Sequence, residues 1–249
     1  MQIDIQETPA LLGCEAGRKA ASLIRKAIGE KGSAHVVLAT GASQFETLKQ
    51  LVREKDIAWD KVVMFHLDEY IDLPASHGAS FRKYLKERFL DQVPPLKAAY
   101  LINGEHDPLA ECERIGALIR QYPVDVALVG IGENGHIAFN DPPADFEIED
   151  PYIVVDLDEQ CRRQQVDEGW FSALAAVPQK AISMSVRQIL KSRSIICSVP
   201  DKRKARAVKN CLEGGVSNLF PASILQRHSD CIWFLDKASV SLLAKQPGQ

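Results

Sequence analysis

Val-Asp-Val-Ala-Leu-Val-Gly-Ile-Gly-Glu-Asn-Gly-His-Ile-Ala-Phe-Asn-Asp, residues 124–141, is the stretch on which the reading of the fold turns. Its apolar run, residues 124–129 with one break at Asp125, is too short for a free-standing helix and rich in β-branched residues, so it reads as a buried strand. The run ends in glycines. Gly130, Gly132 and Gly135 allow a tight turn and a close backbone approach to a ligand, and His136 follows at the strand's carboxyl end, where open α/β sheets place their sites. The same letters fit Gly-x-Gly-x-x-Gly, and Asp156 falls near the spacing of a ribose-binding acid. That motif needs a helix directly after its third glycine to carry a pyrophosphate, and Pro142 and Pro143 end any helix within two turns. The strand also lies in mid-chain and not in a first βαβ unit, so a dinucleotide site is rejected.

Working outward, Ala20, Leu23, Ile24, Ala27 and Ile28 recur at helical spacing until Gly29 and Gly32, giving an amphipathic helix. A strand over 35–39 runs into Thr40-Gly41-Ala42-Ser43, and Phe45, Leu48, Leu51 and Val52 mark the next helix. Ser43 has two readings. With Glu46 it forms a capping box; with its glycine-containing turn it forms a phosphate cradle. A strand over 62–67 delivers Asp68-Glu69-Tyr70 to the same sheet edge, and extended geometry lets only one of the two carboxylates face a site. Helices follow with Phe81, Tyr84, Leu85 and Phe89 on one face, and over 108–121. Beyond the prolines come a strand at 152–156, a polar segment within 157–176 that reads as a lid, strands at 181–186 and 194–199 around a short helix, the basic turn Lys202-Arg203-Lys204 opening another helix, a strand at 231–235 and a short C-terminal helix. This alternation predicts βαβ units, a mostly parallel central sheet and helices on both faces.

No linker or charge block divides the 249 residues, so a single domain over 1–249 is expected. With 30 basic and 33 acidic side chains the net charge is −3, and no basic tract appears, which argues against nucleic acid or an anionic membrane as partner. No apolar run approaches membrane-spanning length and the first residues lack a signal-peptide pattern, so the expectation is a cytoplasmic protein. The six cysteines have no Cys-x-x-Cys spacing, which fits reduced thiols and not disulfides or zinc. No metal triad or nucleophile elbow is visible. A homo-oligomer is left open.

The strand ends thus collect a phosphate turn (Thr40, Gly41, Ala42, Ser43), a carboxylate (Asp68 or Glu69), an imidazole flanked by acids (His136 with Glu133 and Asp141) and a basic turn carrying Lys204. Three cations in the first turn of a helix oppose its dipole, and a bound anion removes the conflict. A carboxylate and an imidazole around a phosphate-anchored substrate suit proton transfer on a sugar phosphate: ring opening, enolisation, or attack on a lactone or imine.

Leu38-Ala-Thr-Gly41, Phe65-His-Leu-Asp-Glu-Tyr70 with His77-x-x-Ser80-Phe81, the Gly130 to Pro142 block, Lys204-Ala with Glu213-Gly214, and Pro221-Ala-Ser-Ile-Leu-Gln-x-His228 together resemble the glucosamine-6-phosphate deaminase/isomerase family, in order across nearly the whole chain. The related 6-phosphogluconolactonases typically carry Asp-Glu-Arg where this chain has Asp68-Glu69-Tyr70 and lack the Phe-Asn after the His block, so they rank second. The resemblance implies a Rossmann-like three-layer fold and conversion of an amino-sugar 6-phosphate to the ketose 6-phosphate plus ammonia, with no redox cofactor. It implies Asp68 as the base between C2 and C1, and His136, with Asn134 and Asp141 beside it, as the ring-opening group. Thr40, Gly41, Ala42, Ser43 and Lys204 hold the phosphate, and Glu69, Gly132 and Gly135 complete the binding set.

Three departures from the family pattern matter. Asn134 stands where many members have an acid. Asp141 replaces a Glu, so its carboxylate is one methylene shorter and is expected to need a backbone shift or a bridging water to reach the imidazole. The family's phosphate-gripping Arg has no counterpart, because Glu168 occupies the aligned place, and Arg162 and Arg163 are the nearest substitutes. Galactosamine-6-phosphate deaminase and a non-catalytic sugar-phosphate sensor are the further alternatives. The residues of the family's acetylated-sugar allosteric site are not evident after Pro143, so no such activation is expected.

Overall fold

The apolar runs become the strands of one sheet. In the computed structural model, which describes residues 1–244, the elements in chain order are β1 (Gln2–Gln6), α1 (Pro9–Lys31), β2 (Ala34–Leu38), α2 (Phe45–Leu51), β3 (Val62–His66), β4 (Asp68–Tyr70), α3 (Phe81–Arg88), β5 (Ala98–Tyr100) and α4 (Pro108–Ile119). They continue with β6 (Val126–Val129), β7 (Tyr152–Asp156), α5 (Glu159–Asp167), β8 (Lys180–Met184), α6 (Val186–Leu190), β9 (Ser194–Val199), α7 (Ala205–Glu213) and β10 (Cys231–Asp236). Seven strands pair in the order β1-β10-β9-β6-β2-β3-β5, all parallel.

Burial on both faces explains the near-continuous apolar runs. Val37, Val63, Phe65, Ala127, Val129 and Ile195 join one core, whereas their neighbours Val36, Leu38, Val62, Met64, Val126 and Leu128 join the other. This is the α/β three-layer architecture the sequence predicts. From β2 the chain steps outward through β3 to β5, then β6 returns to the opposite flank of β2. Loops leaving β2 and β6 therefore diverge, and the crevice between them at the carboxyl ends is where such sheets bind ligands.

Four local features differ from expectation. The first helix passes through Gly29 and stops only at Gly32, which caps it in the left-handed conformation. Strand β1, too polar to stand out, exists because it pairs along β10. Asp68–Tyr70 leave the main sheet to form β4 of a three-stranded antiparallel sheet, β4-β8-β7. The helix expected after residue 235 is replaced by turns over 237–242 among the described residues.

Helix α1 crosses α2 at a glycine. A Cβ at Gly13 would stand 2.2 Å from Glu46 Cβ and 2.6 Å from its backbone carbon, so this contact exists only without a side chain. Because α2 begins at the turn after β2, Gly13 also fixes where that turn sits. We expect Gly13→Ala to cost about 1–3 kcal/mol by overpacking, read as a lowered urea midpoint with unchanged slope. An unchanged midpoint would mean the helices part without cost.

Candidate active site

One cavity of about 230 Å³ opens at the crevice, lined among others by Thr40, Gly41, Ala42, Ser43, Asp68, Gly130, His136, Gln164, Glu168, Arg203 and Lys204. Four loops from four strands therefore converge, and most of the expected residues are brought together. The cavity is sized for one small metabolite.

The turn after β2 is held from three sides. Gly41 takes a left-handed φ of 86°, and Tyr84 Oη donates to its carbonyl at 3.0 Å. The buried Gln44 Nε2 donates to Val129 O and to Ser43 Oγ, each at 3.1 Å, tying the turn to the end of β6. Gly130 makes that contact close: a Cβ there would lie 2.5 Å from Ser43 Oγ. Ser43 makes no cap on α2, so the capping-box reading fails, and Glu46 instead pairs with Lys49 at 3.0 Å. Thr40 Oγ1 is buried with no hydrogen-bond partner among the described residues and sits in the cavity wall.

The two adjacent acids of β4 separate as an extended strand requires. Asp68 lines the cavity, and burial, with the neighbouring Glu69 charge, pushes its pKa up to about 8. Glu69 is not brought to the cavity. Its fully buried carboxylate accepts from Tyr70 N, Ser80 Oγ, Phe81 N and Arg82 N at 2.8–3.2 Å, closing the start of α3. Its place in the ligand-binding set is therefore corrected: every acceptor site it offers is used by the fold.

After β6 the chain curls instead of forming a helix, which agrees with rejecting a dinucleotide site. Gly132 N donates to His136 O at 3.0 Å, and a Cβ at Gly132 would lie 2.2 Å from His136 Cε1, so the imidazole occupies the space a side chain would take. Gly132 and Gly135 thus shape the loop and do not line the cavity. Bridges from Ile137 to Ile131 and to Asn140 turn the segment back on itself. That curl brings Asp141 Oδ1 to 3.0 Å from His136 Nδ1. The shorter carboxylate reaches the imidazole directly, and the expected shift or bridging water is not needed. Asn134 supports the carboxylate: its Oδ1 accepts from His136 N, and its Nδ2 donates to Asp141 Oδ1 and to Asp158 Oδ2, each of the latter at 3.0 Å. Burial raises the Asp141 pKa, but the adjacent His136 imidazole, with hydrogen bonds from Asn134 and Asp158 N–H, outweighs it and holds the group below the usual carboxylate range. Asn140, which sequence reading passed over, anchors the curl by donating to Ile137 O and Met184 O at 2.8 and 2.9 Å.

The basic residues after β9 form a 3-10 turn, Lys202–Lys204, ahead of α7. Lys204 is 5% exposed in the cavity wall; burial lowers its pKa, against the charges of Glu168 and Glu133, which raise it. Arg203 also lines the cavity, its guanidinium 3.0 Å from Asp201 Oδ2. It is an arginine at the cavity that the sequence reading did not single out as a phosphate ligand. Arg162 donates to Leu174 O and Val177 O, and Arg163 pairs with Glu159 on the surface, so neither lines the cavity. The overlooked signal was position: Arg203 precedes Lys204 at a strand's carboxyl end.

Helix α5, within the segment expected to be a lid, lines the cavity with Gln164 and Gln165, as does its C-cap Glu168. Its roots are Cys161 and Phe171 in an aromatic cluster with Tyr70, Phe81 and Phe139. Gln164 Oε1 accepts from Glu133 N, joining this helix to the histidine loop. No helix among the described residues is long and apolar enough to cross a membrane.

The comparisons with known proteins agree with this geometry. The family model described as glucosamine-6-phosphate isomerases/6-phosphogluconolactonase matches residues 7–233. A glucosamine-6-phosphate deaminase of Lactococcus lactis subsp. cremoris is 37% identical, covering 93% of this chain and 96% of its own, and glucosamine-6-phosphate deaminase 1 of Bacillus subtilis is 36% identical, covering 92% and 95%. Among solved structures, a monomeric glucosamine-6-phosphate deaminase superposes with a TM-score of 0.90 at 34% identity, covering 97% of this chain and 100% of that one. A 6-phosphogluconolactonase of Thermotoga maritima gives 0.78 at 18% identity over 95% and 99%, a likeness of fold alone. By its sequence and its structure, the chain belongs to the glucosamine-6-phosphate isomerase/6-phosphogluconolactonase family.

Proposed function

We propose that this protein is a glucosamine-6-phosphate deaminase, converting glucosamine 6-phosphate and water to fructose 6-phosphate and ammonia. The observation that carries the reading is that Asp68, His136, Lys204 and the Thr40–Ser43 turn all line one small cavity. Lys204, Arg203, Thr40 and the turn hold the phosphate. His136, oriented by Asp141 through Nδ1, keeps Nε2 for the ring oxygen and the C1 hydroxyl, and so opens the pyranose. Asp68 then takes the C2 proton and returns one to C1, turning the aldose amine into a ketose imine that water hydrolyses. The polar side chains of α5 close over the sugar, which makes residues 157–176 the lid. Support for the amine over the lactone comes from relatives named as deaminases at 36–37% identity. Incubation with glucosamine 6-phosphate should release equal ammonia and fructose 6-phosphate, and galactosamine 6-phosphate run alongside reads the epimer preference; release of neither product would reject the proposal.

Three variants and profiles test the roles. Asp68→Asn should lower kcat by about 10²–10⁴-fold while inorganic phosphate still binds. Loss of both would make Asp68 a scaffold residue. Because Asp68 must be ionised to act and its pKa stands at about 8, kcat/KM should rise with pH up to about 8 and level above it, about tenfold per unit on the acid side. A profile already flat from pH 6 would contradict the assignment. Lys204→Ala should chiefly raise KM, leaving kcat nearly unchanged, as expected for an anchor bound equally in ground and transition states; the reverse pattern would place Lys204 in the chemistry.

A further inference from the structure

The sequence shows no metal-binding spacing, yet the fold assembles one. One ligand atom from each of His136, Asp141 and Cys161 lies within 4.8 Å of the others. Imidazole nitrogen, carboxylate oxygen and thiol sulfur are together the donor set of zinc, and sulfur disfavours magnesium and calcium. Tetrahedral bonds of about 2.0–2.3 Å would draw these atoms somewhat closer, a movement that side-chain torsions supply.

Two further observations point to a ligand. His136 Nδ1 is buried and, although 3.0 Å from Asp141 Oδ1, makes no well-directed hydrogen bond. Asp158 sets a second carboxylate beside the cluster: its oxygens accept from Asn134 Nδ2 and from Cys161 N, and its own N–H donates to Asp141 Oδ2. A dication bound by a thiolate and Asp141 is thereby neutralised, with a further negative charge adjacent. His136 lines the main cavity, while Asp141 and Asp158 line an outer hollow beside Pro142 and Pro143.

We propose that His136, Asp141 and Cys161 form an inhibitory site for a soft divalent cation, zinc foremost, which displaces the thiol proton and ties up the imidazole. Three protein ligands leave the fourth position to water. Bound metal separates His136 from Asp141, and the inhibition rests on the role proposed above for that pair; the binding itself does not.

Cobalt(II) is the spectroscopic probe. Added to the whole protein, it should give a thiolate-to-cobalt charge-transfer band and tetrahedral d–d bands at one equivalent. Cys161→Ala, which leaves the proposed proton-transfer groups in place, should lose the band and keep its deaminase activity. A Cys14→Ala, Cys112→Ala double variant, lacking the two less buried thiols, should retain the band. Zinc at ten times its Kd should cut wild-type turnover about tenfold by mass action, reversed by EDTA, and leave Cys161→Ala active. Should Cys161→Ala fail to fold, Cys161→Ser serves as the second variant. No charge-transfer band, a band that survives in Cys161→Ala, or equal zinc inhibition of both proteins would overturn the proposal. The cobalt spectrum needs no turnover, so its result stands apart from whether the protein is a deaminase.

Discussion

The reversal of strand order between β2 and β6 governs everything else in this molecule. Two neighbouring parallel strands end at the same rim, but their loops must leave in opposite directions, so the rim between them cannot be roofed by either crossover. The gap is kept narrow by one buried amide, Gln44, bonded to the last carbonyl of β6, and by Gly130 at the point of closest approach. The turn after β2 and the histidine loop, remote in sequence, are thereby set at a fixed separation. Such fixed placement is what proton transfer between neighbouring carbons requires, because small displacements of acid or base are costly in rate.

The charges around the rim show how the fold divides labour between similar groups. Asp68 and Glu69 are consecutive, but strand geometry turns one toward the cavity and the other into the start of α3. Glu69 is surrounded by donors, whereas burial leaves Asp68 with a pKa of about 8. Asp141 goes the opposite way, held below the usual carboxylate range by the imidazole beside it and by hydrogen bonds from Asn134 and Asp158 N–H, despite its burial. Two carboxylates with pKa values pushed apart, one beside an imidazole and one free to accept a proton, are the pattern expected of an acid/base pair with separate tasks.

Much of this was legible in the chain. Strands buried on both faces betray themselves as unbroken apolar runs, and the glycines after residue 129 with a histidine at once behind them point to the rim of the sheet where the cavity opens. What escaped depended on contacts between distant segments. Strand β1 carries no strong pattern of its own and is defined by β10. The exit of Asp68–Tyr70 into a second sheet depends on pairing with β8, more than a hundred residues away. Arg203 was visible only as part of a basic turn, and Asp141 looked too short because the curl that returns it to His136 is set by backbone bridges, not by residue type. The metal-type cluster was invisible for the same reason: Cys161 reaches the other two ligands only because α5 folds over the loop.

Pairing of β1 with β10, from Gln2 opposite Ile232 to Gln6 opposite Asp236, has a consequence for biosynthesis. During synthesis β1 has no neighbour until β10 has followed it, and β10 must then slot between β1 and β9. Until then β1 is an unpaired strand, a window in which binding by a chaperone protects against edge-to-edge association. Of the described strands, the first made is paired only by the last.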